Sequence, residues 1–302
     1  MAGTMKKDPF DGPPPPYDAD NDSIAAFAAV GGTANSDGKD GQTTPRQGVL
    51  SKMVAFLQTT ALCGSSATAS KTATNELSDS RRRWIDVGSQ SYTAQLDLYD
   101  LLSIRSWSGS LNIGVTPQAA DKEHPAPAEM MIESHSGSLD INMAAFEVPK
   151  RDYFVSIDSH SGSVGGHLIH GRKTAVVAHS ASISLRFTLS GASEHASSLS
   201  TATQSGQSTV TVLNPVHSAG ASSSIKQLSS NHTTKSGSLV LRYPSDWEGT
   251  IEGRTHSGGL QLQGRGIEII RREPHYVLAK KGTGDSNLNF ETWSGSASVY
   301  FD

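Results

Sequence analysis

Cysteine is almost absent from this sequence, which has only Cys63 in 302 residues. A single thiol cannot close a disulfide within the chain, and it cannot supply the two or more cysteines of the common structural zinc sites. The sequence therefore excludes the small disulfide-rich domains and the cysteine-based zinc modules.

The chain also lacks a large excess of charge of either sign and a long apolar run. Charged residues make up 18 % of the chain and the formal net charge is −4, so no basic footprint indicates a nucleic-acid partner. Apolar residues make up 35 %, and no run approaches the roughly 20 apolar residues of a membrane-spanning helix. We expect no nucleic-acid partner and no transmembrane segment.

The first residues, MAGTMKKDPFDGPPPPY, place a proline run where a secretory signal peptide needs an apolar core. This pattern predicts a cytoplasmic protein, and the alternative is a cell-surface protein exported by another route. Residues 1–50 are rich in Pro, Gly, Ala and Asp and lack a sustained apolar period. Such a segment cannot bury enough surface to offset the entropy of ordering it, so we predict a disordered head.

Within this head, Pro14, Pro15 and Tyr17 form a Pro-Pro-x-Tyr motif at the end of four consecutive prolines. Consecutive prolines favour the polyproline II conformation, and a following tyrosine suits the aromatic groove of a WW domain. A WW-domain protein is therefore a predicted partner. The alternative is a solvated proline tract that binds nothing.

Residues 51–83 are predicted to form a short helix followed by a linker. Cys63 at the end of the helix and the run Arg81-Arg82-Arg83 are compatible with a lipid anchor, in which an acylated cysteine acts together with basic residues. The interpretation we favour is a docking helix with an unmodified cysteine.

From residue 84 onward a Ser-Gly element, once replaced by Ser-Ala, recurs eight times, which indicates a repeat protein. Serine directly precedes the anchor in every copy, and the residue three before the anchor is always Ser, Ala or Thr. With 45 serines in 302 residues, composition alone does not account for this regularity. The anchors are Gly109, Gly137, Gly162, Ala181, Gly206, Gly237, Gly258 and Gly295.

Apolar residues alternate on both sides of most anchors, as Ile104, Leu111 and Ile113 do around Gly109. Alternation is typical of strands, and a glycine between two strands permits a bend. Each repeat is thus a strand, a glycine corner and a second strand, with residues five, three and one before the anchor facing inward. One such unit cannot bury its apolar face alone, so neighbouring repeats must stack.

The predicted fold is all-β, a β-solenoid-like stack of about eight Ser-Gly-cornered repeats over residues 84–302. A sandwich of similar hairpins is the alternative, because one sequence does not give the strand pairing. The segments Trp84 to Leu102 and Ile267 to Lys281 are predicted to be strands that cover the two ends of the stack.

The repeat resembles the putative adhesin families of β-solenoid proteins known from bacterial envelope-associated proteins. The resemblance rests on the pattern Ser-Gly-Ser-apolar-x-apolar, as in SGSLNI at 108–113 and SGSLDI at 136–141, and it covers about residues 84–302. The Pro-Pro-x-Tyr head without a signal peptide resembles the fungal branch of such adhesin-like proteins. The resemblance implies the β-solenoid fold more than any particular binding activity.

The residue two before each anchor is predicted to point outward. If repeats stack at the strand spacing of about 4.8 Å, these side chains form a column along the surface. Aromatic residues in a field of Ser and Thr suit carbohydrate or protein ligands, so the column is the predicted binding surface. Its aromatic members, the predicted partner-binding residues of the repeat domain, are Trp107, His135, His160, His179, His256 and Trp293.

Three consecutive histidines of this column, His135, His160 and His179, are the candidates for a metal site. No carboxylate or cysteine shares their position in a repeat, so we predict no metal and no cofactor. The alternatives for the histidines are simple stacking of flat side chains and a charge switch near neutral pH.

The sequence contains no recognisable catalytic motif, neither a nucleophile elbow nor a phosphate-binding loop. Glu133 and Asp158 share a position in adjacent repeats, and we interpret these two acids as part of a solvated face. The predicted function is therefore a non-enzymatic adhesin-like binding protein. The alternatives are an exported cell-surface adhesin and a solenoid enzyme acting on polysaccharide.

Overall fold

The computed structural model describes residues 75–78, 81–190, 196–216 and 227–302. Within these ranges all regular secondary structure is β-strand, which confirms the all-β class, and the strands form two sheets. The predictions for the head at 1–50, for Pro14, Pro15 and Tyr17, and for the helix ending at Cys63 lie outside the described residues. Among the described residues, no helix is long and apolar enough to cross a membrane.

The larger sheet, sheet A, has twelve strands and the smaller sheet, sheet B, has nine. Sheet A contains β1 (Asn75–Ser78), β2 (Arg82–Gly88), β4 (Leu101–Ser106), β6 (Ala128–Ser134), β8 (Tyr153–Ser161), β10 (Lys173–Ser180), β12 (Ser197–Ser205), β14 (Leu228–Ser236), β16 (Gly249–Ser257), β18 (Ile267–Glu273), β19 (Tyr276–Lys281) and β20 (Ser286–Ser294). Sheet B contains β3 (Tyr92–Leu98), β5 (Leu111–Pro117), β7 (Leu139–Met143), β9 (Val164–His170), β11 (Ile183–Ser190), β13 (Ser208–Val216), β15 (Leu239–Tyr243), β17 (Leu260–Gly264) and β21 (Ala297–Phe301).

The chain passes from a strand of sheet A to a strand of sheet B in each repeat, and equivalent strands of neighbouring repeats pair in parallel. The pairing is in register with the sequence motif, since Ser159 of β8 lies opposite Ser134 of β6 and Ala178 of β10. The inward side chains of both sheets form one apolar core, to which Ile104 and Ile113 contribute fully buried side chains.

The serine before each anchor is not buried, so the prediction that it faces inward is wrong. It lies at the corner, where in five of the eight copies its hydroxyl donates to a backbone carbonyl of the adjacent repeat. Ser161 Oγ lies 3.3 Å from the carbonyl oxygen of His135, and Ser257 Oγ lies 3.1 Å from that of Trp293. This bond between repeats gives a physical reason for serine at the position. The residue three before the anchor is buried, as predicted.

The anchor glycine is required by its conformation and by the close approach of the next repeat. Gly137 has a φ of +107°, a region that residues with a Cβ rarely adopt. A Cβ on Gly137 would lie 2.2 Å from the carbonyl oxygen of Gly109, and one on Gly162 would lie 2.2 Å from that of Gly137. The glycine corners of successive repeats therefore pack backbone against backbone.

The last repeat does not lie at the end of the stack. In sheet A, β20 lies between β14 and β16, and in sheet B, β21 lies between β15 and β17. The registers agree, because Ser294 is paired with Ser236 on one side and with Ser257 on the other. The strands β20 and β21 thus follow β16 to β19 in the sequence but precede them in the order of the stack.

Antiparallel strands occupy the two edges of sheet A. The hairpin of β18 and β19 pairs with β16, so the predicted end strands at Ile267 to Lys281 are confirmed for this sheet. The prediction for Trp84 to Leu102 is confirmed for sheet B, whose edge strand is β3. In sheet A, β2 lies inside the edge, and both strands pair in parallel with β4 and β5 and continue the stack. This first strand pair lacks the Ser-Gly anchor, so the repeat motif does not identify it as a repeat. The opposite edge is formed by β1, within the predicted linker.

We expect Gly137→Ala to lower the free energy of unfolding by about 2–4 kcal/mol, because it adds a strained φ to a backbone clash. The control is Gly259→Ala, since a Cβ on Gly259 meets no atom within 4 Å. This change should stay within about 0.5 kcal/mol of the wild type. Urea unfolding followed by circular dichroism measures both. Equal stability of the two variants would contradict the stacked glycine corner.

Candidate functional site

The residue two before each anchor lies on the outer surface at the edge of the corner, and we call these residues the outer column. The rings of Trp107 and His135 stack with centroids 4.3 Å apart and planes at 7°. His135 and His160 follow at 4.6 Å and 18°, and His160 and His179 at 4.5 Å and 35°. The structure therefore brings these four predicted site residues together in one stack.

The return of the last repeat creates a second stack in the outer column. Because β20 lies beside β16, Trp293 contacts His256, with ring centroids 4.2 Å apart and planes at 13°. In the order of sheet A, the column reads Trp107, His135, His160, His179, Gln204, Lys235, Trp293 and His256. Two aromatic stacks are thus separated by Gln204 and Lys235, an arrangement that the sequence order does not show.

The two tryptophans are the most accessible large rings of the outer column. Trp107 is 62 % exposed and Trp293 is 56 % exposed. Among the described residues, the one ring stacked on Trp107 is that of His135. On the other side of Trp107, β2 ends at Gly88, which is paired with Ser106. Trp107 is therefore the terminal ring of its stack and remains largely accessible.

Carboxylates flank the outer column on the same face of sheet A. Glu291 Oε1 lies 2.8 Å from His256 Nε2, and Asp158 Oδ1 lies 3.9 Å from His179 Nε2. Glu133 instead accepts two hydrogen bonds from Arg105, at 2.8 and 3.0 Å. The interpretation of the acids as a merely solvated face is thus incomplete, because each has a charged or titratable partner.

Asp158, His160 and His179 form a cluster in which each residue offers one ligand atom within 4.8 Å of the others. Sequence analysis missed Asp158 because it compared only residues at the same position of each repeat. In the structure Asp158 is paired with Val177, so His179, two residues further on, is its diagonal neighbour. The parallel register of β8 and β10 was the signal needed to find it.

Comparisons with protein-family models, with curated proteins and with solved structures find no match to this chain. The resemblance to adhesin-like proteins and to their fungal branch therefore stays a prediction.

A shallow cavity of about 430 Å³ continues the surface at the His256 end of the outer column. Its lining includes Tyr276, and the guanidinium groups of Arg254 and Arg271 lie 5.4 and 5.5 Å from the centroid of its ring. Sequence analysis missed this cavity because the β18–β19 hairpin that forms it lies outside the repeat motif.

Two further histidines lie in the core and do not belong to the surface site. His232 Nδ1 lies 2.8 Å from Thr201 Oγ1 and its Nε2 lies 2.8 Å from Tyr243 Oη, while burial lowers the pKa of His232 to about 3. Burial likewise lowers the pKa of His170 to about 4. Both imidazoles are neutral in the folded protein at neutral pH, and burial also raises the pKa of Tyr243.

These buried histidines predict a loss of stability in mild acid. An unfolded histidine binds a proton below about pH 6.5, whereas His232 and His170 stay neutral in the fold until much lower pH. The stability that depends on their neutral forms is therefore fully present above pH 6.5. It is lost as the pH falls towards the pKa values of the folded state. Each histidine should lower the unfolding free energy by about 1.4 kcal/mol per pH unit between about pH 6 and 4.5.

Urea unfolding of the wild type and of His232→Gln, measured at several pH values in this window, tests this expectation. The unfolding free energy of His232→Gln should depend less steeply on pH than that of the wild type, by about 1.4 kcal/mol per pH unit. We expect the same reduction for His170→Gln. A variant with the wild-type slope would show that the corresponding imidazole is not buried neutral.

Proposed function

We propose that this chain is a non-enzymatic, adhesin-like binding protein whose repeat domain presents the outer column to a carbohydrate. The observation that carries this proposal is the indole of Trp107, which is 62 % exposed at the end of a continuous ring stack. The face of an indole packs well against the apolar C–H face of a sugar ring, and the surrounding hydroxyls and carboxylates can bond to its hydroxyl groups.

A β-solenoid provides the scaffold for this surface. The alternation of the chain between two sheets and the parallel, in-register pairing of equivalent strands both support it. Such a stack presents one position of every repeat at a fixed spacing along a straight line. A polymer whose units recur along its length is the kind of ligand that fits such a surface.

The partners of the surface acids support binding rather than glycoside hydrolysis. Glycosidases require two carboxyl groups placed on either side of one bond. Glu133 is held by Arg105 and Glu291 by His256, while Asp158 lies beside two histidines. Within the described part of the chain, these contacts favour a polar binding surface around the rings.

Binding to a glycan array, followed by calorimetry with the best oligosaccharide, tests the proposal. Trp107→Ala should weaken the affinity at least about tenfold, because it removes the exposed terminal ring of the stack. The matched control is Trp84→Ala, which removes an indole that is 40 % exposed on β2 and outside the column. Equal losses in the two variants, or no glycan bound by the wild type, would contradict the carbohydrate proposal.

We also propose that the head binds a WW domain through Pro14, Pro15 and Tyr17, in a protein that resides in the cytoplasm. The motif combines a stiff proline run with a terminal aromatic ring, which lowers the entropic cost of docking.

The full chain should bind an isolated WW domain in fluorescence anisotropy. Tyr17→Ala should abolish this binding while the circular dichroism of the β-structure stays unchanged. Unaltered binding by Tyr17→Ala would show that the Pro-Pro-x-Tyr motif does not bind the WW domain.

A further inference from the structure

We propose that Asp158, His160 and His179 form a surface site for a divalent transition metal such as Zn²⁺. Metal binding at this site is distinct from carbohydrate binding and is measured without any glycan. It rests on the position of three ligand groups on two neighbouring strands, on the angle between two rings, and on the partners of the nearby acids.

The strands place all three groups on the outer face of sheet A. Asp158 and His160 are two residues apart on β8 and therefore project from the same face. His179 lies on the adjacent strand β10, with its ring 4.5 Å from that of His160 and its Nε2 3.9 Å from Asp158 Oδ1. The backbone positions of the three ligands are thus set by the sheet.

The angle between the rings favours this pair of histidines over the others in the outer column. Imidazole nitrogen lone pairs lie in the ring plane, so two parallel stacked rings cannot both direct a lone pair at one ion. His135 and His160 are within 18° of parallel, whereas His160 and His179 are tilted by 35°. Ligand atoms of one Zn²⁺ lie about 2 Å from the ion, so the atoms, now within 4.8 Å, need only side-chain rotation to converge.

The partners of the acids explain why the site forms at Asp158 and not at Glu133. Both carboxylates occupy the same position of adjacent repeats, but Glu133 is engaged by the guanidinium of Arg105. Among the described residues, the ion-pair partner of Asp158 is His179. Its carboxylate therefore remains available beside two imidazoles.

The ligand types select the class of metal. Two nitrogen atoms and one carboxylate oxygen suit Zn²⁺, Ni²⁺ or Cu²⁺, whereas Ca²⁺ and Mg²⁺ prefer all-oxygen sites. The exposed side of the ion keeps coordination positions for water or for oxygen atoms of a ligand. A bound metal would also join β8 to β10 across the surface of the sheet.

Titration of the full chain, prepared without a histidine tag, with Zn²⁺ in a calorimeter tests the site. Asp158→Asn and His179→Gln should each weaken Zn²⁺ binding at least about tenfold. The matched control is His256→Gln, because His256 also stacks on a ring and contacts a carboxylate but belongs to no group of three metal-ligating side chains in the described part of the chain. Its affinity should equal that of the wild type, and excess Ca²⁺ should not displace Zn²⁺.

A second measurement separates ligation from a change in fold. Co²⁺ in place of Zn²⁺ gives visible absorption bands that report nitrogen and oxygen ligation, and the bands should vanish in His179→Gln while circular dichroism is unchanged. The proposal is overturned if the wild type takes up no Zn²⁺, if Asp158→Asn binds as tightly as the wild type, or if His256→Gln loses as much affinity as His179→Gln.

Discussion

The close approach of neighbouring repeats at the glycine corner governs the rest of this structure. A carbonyl oxygen of one repeat lies 2.2 Å from where the Cβ of Gly137 or Gly162 would be. A shift by one residue would bring a serine side chain to this contact, which elsewhere holds glycine or, at Ala181, a single methyl group. Parallel pairing in one register follows, and serine hydroxyls that donate to the adjacent repeat reinforce it.

One register places like residues beside like residues on both faces of sheet A. Inside, small hydroxyl side chains such as Ser106 and Ser134 follow one another and are buried. Outside, rings stack on rings, which is favourable, whereas like charges at the same spacing would repel. Flat rings in most of the outer column satisfy this constraint. Glu133 and Asp158 are an exception, because they are paired on adjacent strands, and each carboxylate has a partner, Arg105 or His179.

The local features of the fold could be predicted from the sequence because each repeat carries its own signal. Alternating apolar residues predicted the strands, and the Ser-Gly pair predicted the corner and the outward position of Trp107 and the histidines. The order of the strands could not be predicted, because every repeat has nearly the same pattern and can pair with any other. The first strand pair lacks the anchor, and the contact of Asp158 with His179 depends on a diagonal between strands that one sequence does not show.

The position of β20 has a consequence for the entropy of folding. β20 and β21 follow β16 to β19 in the sequence, yet they lie between β14 and β16 and between β15 and β17. The pairing of β14 with β20 joins Ser236 to Ser294, 58 residues apart, whereas the pairing of β12 with β14 joins Ser205 to Ser236, 31 residues apart. Closing the longer loop costs more conformational entropy and lowers the folding rate. The addition of repeats in strict sequence order therefore cannot produce this end of the stack.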